Sequence, residues 1–175
     1  MTRLLGISGA LRKGSTNTML VREAARLFAP DHFEMADLRL PLYDADLEAE
    51  GIPPEVMLLC DQIRAADAIV ISTPEYNKAP PGVLKNALDW VSLVRPMATA
   101  GKPVAPLSAA AGMAGGQRAT SALYLMLVPF GVRFVFDPEV AVGNSATKFD
   151  GDGRLTDAAA LKFLGLKMEA LRAAI

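Results

Sequence analysis

Strand-length apolar runs alternate with helix-length amphipathic segments from one end of this 175-residue chain to the other. RLLGIS at 3–8, FEMADL at 33–38, AIVIST at 68–73, KPVAPLSAA at 102–110 and RFVFDPEVAV at 133–142 read as strands. Between them NTMLVREAARLF, PEVMLLCDQIRAA, PGVLKNALDWVSL and RATSALYLMLV read as helices, and DAAALKFLGLKMEALRAAI closes the chain. Several strand runs are apolar at nearly every position, the pattern of a parallel strand covered by helices on both faces. Five strands alternating with five helices predict one doubly wound, three-layer α/β domain over residues 1–175, since right-handed crossovers place helices on both sides of the sheet. Ligands of such sheets bind beyond the strand C-termini, so the loops that follow the strands are the places to search.

Charge and cysteine content narrow the partners. A formal charge of −1 offers no basic surface for nucleic acid or anionic lipid, so any anion must be held locally. The single Cys60 permits no intrachain disulfide and fits a reducing cytoplasm. The apolar start of the chain is broken at Gly6, too short for a signal peptide or a membrane span. The single His32 leaves no histidine pool for a metal site or a serine hydrolase triad and reads as a surface or structural residue. Val56, Leu59, Cys60, Ile63 and Ala66 recur at helical spacing, which assigns Cys60 to the core. In the last helix Leu161, Leu164, Met168 and Leu171 form one stripe, with Thr156 placed as an N-cap.

Three strand-end loops carry polar chemistry. The first, SGALRKGSTNTML, offers hydroxyls at Ser8, Ser15, Thr16 and Thr18, the Asn17 amide and the Arg12 cation. Ser15, Thr16 or Asn17 can cap the following helix and leave its first amides facing a phosphate, although the same residues also make an ordinary capped turn. Neither a GxGxxG fingerprint nor a nucleoside triphosphate loop is present, which favours a phosphomonoester. The second, PEYNKAPPG at 74–82, is stiffened by prolines and presents backbone groups and Asn77, suited to the edge of a planar heterocycle or simply to a rigid connection. The third, AGMAGGQRAT, places Gly112, Gly115 and Gly116 ahead of a helix, where backbone can lie flat beside a ligand. Together the three loops describe a mononucleotide pocket.

GISGALRKGSTNTML, TPEYNKAPPGVLKNALDW and GKPVAPLSAAAGMAGGQRA, in that order, resemble the NADPH-dependent FMN reductase family, which includes quinone, chromate and azo-dye reductases. The resemblance implies a flavodoxin-like fold, a five-stranded parallel sheet in order 2-1-3-4-5, and one FMN per subunit. It implies that Ser8, Arg12, Ser15, Thr16 and Asn17 contact the FMN phosphate and that Pro74, Glu75, Tyr76 and Asn77 border the isoalloxazine. Gly112 and Gly115 belong to the segment that would supply amides near the ring. Two positions depart from the family pattern: Ala110 and Ala111 stand where serine is common, and Arg95 is displaced within VSLVRP.

The resemblance also implies a ping-pong reductase that takes a hydride from NADPH or NADH and passes it to a small-molecule acceptor, with no protein acid or base and no metal. The competing reading is a flavodoxin-type electron carrier without NAD(P)H oxidation of its own, against which stand the near-neutral charge and the few aromatics in the loops. On the helix after TPEYN, Leu84, Leu88 and Val91 make one apolar stripe, and Val83, Ala87, Trp90 and Val94 a second. With the apolar SALYLMLVPF, this width leads us to expect a homodimer or homotetramer.

Overall fold

Strands β1 (Arg3–Ser8), β3 (Ala68–Thr73) and β4 (Pro103–Ala109) form the centre of a parallel sheet in a computed structural model that describes residues 1–175. Every residue of β3 and β4 is buried, as their predominantly apolar sequences lead one to expect. Strand β2 (His32–Met35) adds to the outer side of β1, giving the order β2-β1-β3-β4-β5. It is shorter than the run at 33–38, and no strand pairing continues past Met35.

The fifth strand is corrected. The run at 133–142 is two short strands, β5 (Arg133–Phe134) and β6 (Ala141–Val142), both paired with β4, so the sheet has six strands. Seven residue steps separate Phe134 from Ala141, but four separate their partners Val104 and Ser108, so three residues loop out. Pro138 lies within the interruption, and a second cause lies on the neighbouring strand. Val104 accepts from the Val135 amide and Ser108 donates to the Val140 carbonyl, so alternation turns Pro106 to the same side. Proline has no N–H to give, and the partner chain leaves the sheet where β4 cannot hold it.

Alternate residues of each strand feed two cores. Leu5, Ile7, Ile69 and Ile71 pack beneath α3 (Pro54–Ala65), α4 (Gly82–Leu93) and α5 (Gln117–Leu127), with Cys60 fully buried among them. Leu4, Val70, Ala105 and Leu107 pack beneath α1 (Thr16–Phe28) and α6 (Ala158–Ala173) through Leu20, Val21, Phe28, Leu164 and Met168. Gly6 is required here, because a Cβ on it would lie 2.4 Å from a Val21 methyl. His32 is exposed at the start of β2. Asp157 rather than Thr156 caps α6, accepting from the Ala160 amide at 2.9 Å, while the Thr156 hydroxyl donates to the Lys148 carbonyl. No helix is long and apolar enough to cross a membrane.

A short helix, α2 (Ala45–Glu50), follows Asp44, whose carboxylate caps it. The segment before it covers the second stripe of α4. Trp90 donates to the Pro41 carbonyl at 2.9 Å and meets Tyr43 edge-on at 5.2 Å, and Asn86 accepts from the Tyr43 amide. The chain's own Pro41–Tyr43 segment thus accounts for the width that suggested a partner at Trp90. Leu125 of α5 and Val128 just beyond it remain 75% and 63% exposed.

Candidate functional site

Beyond the C-terminal ends of β1, β3 and β4 lies a cavity of about 250 Å3, walled by the three strand-end loops and by Ser145 and Ala146. Arg12, Ser15, Thr16, Asn17, Pro74, Glu75 and Tyr76 all line it. Seven residues assigned from sequence, drawn from loops some 60 positions apart, therefore meet at one place.

At one end is the start of α1. Ser15 holds an extended conformation, and its hydroxyl accepts from the Asn17 amide at 3.2 Å. The amides of Thr16 and Thr18 find no acceptor in the chain, which leaves the positive end of the helix dipole available to an anion. The exposed Arg12 pairs with no carboxylate and rests its guanidinium on the Gly14 carbonyl at 3.0 Å. Asn17 also lines the cavity, but its side chain works in the frame. Its Nδ2 donates to the Ala109 carbonyl at 2.9 Å, and its Oδ1 accepts from the Ala109 amide at 3.0 Å and the Ser72 hydroxyl at 2.8 Å. Those bonds pin the helix start to the tips of β3 and β4. Ser8 lies behind the loop, outside the lining, where its hydroxyl meets the Thr18 hydroxyl and the Ala10 amide.

At the other end is the loop after β3. Tyr76 and Ala79 exchange two backbone hydrogen bonds, of 2.9 and 3.1 Å, around Asn77 and Lys78. Both central residues have positive φ, 51° and 69°, the requirement of a tight two-residue hairpin turn. Asn77 therefore sits exposed at the tip and outside the cavity lining, a turn-former whose side-chain type tolerates left-handed backbone. Glu75 turns to α5, where its carboxylate accepts from the Ala119 amide and from Arg118, both at 3.3 Å. It is the only acidic residue in the lining, and it is already paired.

The end of β4 and the loop after it contribute Ala109, Ala110 and Ala111 to the lining. Gly112 and Gly115 lie outside the lining. Gly115 has φ 63°, and a Cβ there would meet the Ala141 backbone at 2.5 Å, so this glycine lets the loop press against β6. The Gly112 carbonyl accepts from the amides of Gly115 and Asn144 in the same seam.

Sequence reasoning passed over the segment after β6. Ser145 donates its amide to the Ala110 carbonyl at 3.0 Å and places its hydroxyl 3.1 Å from that of Thr16. The available signal was GNSA at 143–146, a second small polar cluster directly after an apolar run, with Asn144 at φ 49°.

Comparison with known proteins agrees with this geometry. The profile of the family described as NADPH-dependent FMN reductase matches residues 2–147. An NAD(P)H-dependent FMN reductase of Pseudomonas aeruginosa is 43% identical over 97% of this chain and 93% of its own length. A quinone reductase of Escherichia coli is 40% identical over 85% of this chain and 81% of its own. Among solved structures, the flavoenzyme NAD(P)H:(acceptor) oxidoreductase FerB of Paracoccus denitrificans superimposes with a TM-score of 0.87 at 32% identity, covering 98% of this chain and 95% of that one. The sheet order, the polar cavity at its C-terminal edge and a sequence match across most of the chain converge on one conclusion: the chain belongs to the NADPH-dependent FMN reductase family.

Proposed function

We propose that residues 1–175 act as one FMN-binding domain and that the protein is an NAD(P)H-dependent oxidoreductase reducing quinones or related acceptors in a ping-pong cycle. One observation carries the reading: a single cavity has uncommitted helix amides and an unpaired arginine at one end and a rigid backbone turn at the other. These donors suit a phosphate dianion, and the alanine wall beside Pro74 and Tyr76 suits a flat ring. When bound, FMN supplies the redox chemistry, accepting two electrons from NAD(P)H and releasing them to the acceptor. In this reading the protein's residues bind and orient. Arg12, Ser15 and Thr16 hold the phosphate, Asn17 fixes their geometry from behind, and Pro74–Tyr76 with Ala109–Ala111 bracket the ring. No side chain in the lining is required to move a proton.

Relatives named NAD(P)H-dependent FMN reductase and quinone reductase support this choice of reaction over that of an electron carrier. Quinones, chromate, azo compounds and free flavin are the proposed acceptors, and either NADPH or NADH the proposed donor. The single, buried Cys60 fits action in the cytoplasm. The exposed Leu125 and Val128 suit a homodimer or homotetramer. The test is anaerobic mixing of the FMN-loaded protein with NADPH or NADH, followed by a quinone. Bleaching of the flavin band and its return on adding quinone are expected. Retained FMN without bleaching makes the protein a carrier, and failure to retain FMN removes both readings.

A further inference from the structure

We infer that Ser145, from the segment after the last strand, is a phosphate-binding residue that completes the anion site at the start of α1. The inference rests on the FMN reading above and extends it to a residue 129 positions from Thr16 in sequence. The geometry is a matter of counting protons. Thr16 and Ser145 each carry one hydroxyl, and the two oxygens lie 3.1 Å apart. Whichever donates to the other, one O–H of the pair is left, and no protein group accepts from it. Ser145 is 5% exposed, so its hydroxyl is reached only from the cavity it lines.

That spare donor sits in the cavity wall, which Thr16 and Ser145 both line, and the Thr16 amide there also lacks an acceptor. No acidic residue lies at this end to receive it, since Glu75 is held at the α5 start by Arg118 and Ala119. A spare hydroxyl donor, a free helix-start amide and a guanidinium without a carboxylate, all in one cavity lining, call for a ligand rich in acceptors and negative charge, and a phosphomonoester dianion answers that description.

The segment is also held firmly enough to serve. The Ser145 amide is tied to the Ala110 carbonyl and the Asn144 amide to the Gly112 carbonyl. Further along, Lys148 pairs with Asp157, and Arg154 reaches the buried Glu23 of α1 at 2.9 Å. Ser145 is therefore fixed relative to the same helix whose first residue it faces.

The test separates phosphate from ring. Apoprotein of wild type and of Ser145→Ala is titrated with FMN, with riboflavin, which lacks the phosphate, and with inorganic phosphate as competitor. The variant is expected to bind FMN about tenfold more weakly, as for a lost hydrogen bond to a charged group, to hold riboflavin as wild type does, and to lose part of the phosphate competition. Unchanged FMN affinity overturns the proposal. Equal losses for FMN and riboflavin also overturn it, because Ser145 would then shape the cavity without touching phosphate. If wild type binds no FMN, the cofactor reading falls and this one with it, an outcome distinct from failure in the variant alone.

Discussion

Glu75 and Arg118 join at 3.3 Å, linking the turn after β3 to the first turn of α5. The same carboxylate accepts from the Ala119 amide, so it acts as a remote cap on a helix whose own N-cap, Gly116, has no side chain. Replacing Glu75 with alanine is expected to cost about 1 kcal/mol, the sum of a modest ion pair and a helix-terminus charge. Urea denaturation measures it, and Glu75→Gln should recover part of the loss because an amide oxygen still accepts from Ala119. No change in midpoint would show that this link contributes nothing.

Asn17 has a different character from the other residues around the cavity. It is 3% exposed and satisfies the Ser72 hydroxyl and both backbone groups of Ala109. Asn17→Ala strands those groups in the interior and should destabilise the protein by about 3 kcal/mol. A loss below about 1 kcal/mol in chemical denaturation would mean water replaces the amide.

Arg12 should matter to ligand and hardly at all to stability, because its guanidinium has only the Gly14 and Lys13 carbonyls for partners. Arg12→Ala is expected to weaken FMN binding by about 1.5–3 kcal/mol, the range for a charge-assisted hydrogen bond. Its melting temperature without ligand should match wild type. Unchanged FMN affinity would show that Arg12 points to solvent.

Stability should depend on pH through Lys167, which is fully buried in α6 and donates to the carbonyls of Val135 and Phe136. Burial pushes its pKa down to about 8 from 10.5, so between those values the unfolded chain binds more protons than the folded one. Stability therefore rises with pH across that window, by about 3 kcal/mol at most. The neutral amine still has two N–H groups for its two acceptors, so losing the charge loses no bond. Tyr124 opposes this at higher pH: burial raises its pKa to about 12, and stability falls as pH climbs from 10. Denaturation from pH 7 to 10 should show a rising limb in wild type that is absent from Lys167→Met. A parallel slope in both proteins would assign it elsewhere.

The exposed apolar surface gives a test of assembly. Leu125, Val128 and Phe136 are 75%, 63% and 58% exposed, and Tyr124 stacks on Phe136 at 5.1 Å. Light scattering should find wild type as two or four chains and Leu125→Glu with Val128→Glu as a smaller species. A one-chain mass for wild type would remove the homodimer and homotetramer readings together.

Much of this architecture was legible because burial on two faces writes itself into consecutive residues, as at Ile69–Ile71 and Val104–Leu107. The cavity was legible in part for the same reason, since a strand end followed by SGALRKGST or PEYN fixes where the polar groups emerge. What escaped depends on pairings between distant segments. The interruption after Phe134 faces Pro106 on another strand, a pairing that no reading of the run alone could give, although Asp137–Pro138 within RFVFDPEVAV was a signal of a break. Asn77 and Gly115 lie outside the lining and serve turn and packing, which the sequence does not separate from binding because both draw on the same residue types. Thr156 lost the cap to its neighbour Asp157, a choice settled by which oxygen reaches the Ala160 amide. GNSA marks Ser145 only as part of a polar cluster, because its meaning comes from Thr16, at the opposite end of the chain.

The three residues that loop out between β5 and β6 also bear on solubility at high concentration. An uninterrupted outer strand offers a row of free N–H and C=O groups on which a second molecule can build a continuous sheet. Here that rim is cut into two-residue pieces, and two of the intervening carbonyls are already taken by Lys167. A stray extended chain arriving at this side finds too few consecutive groups to zip onto, so the break beside Pro106 guards the protein against growing into fibrils along its own sheet.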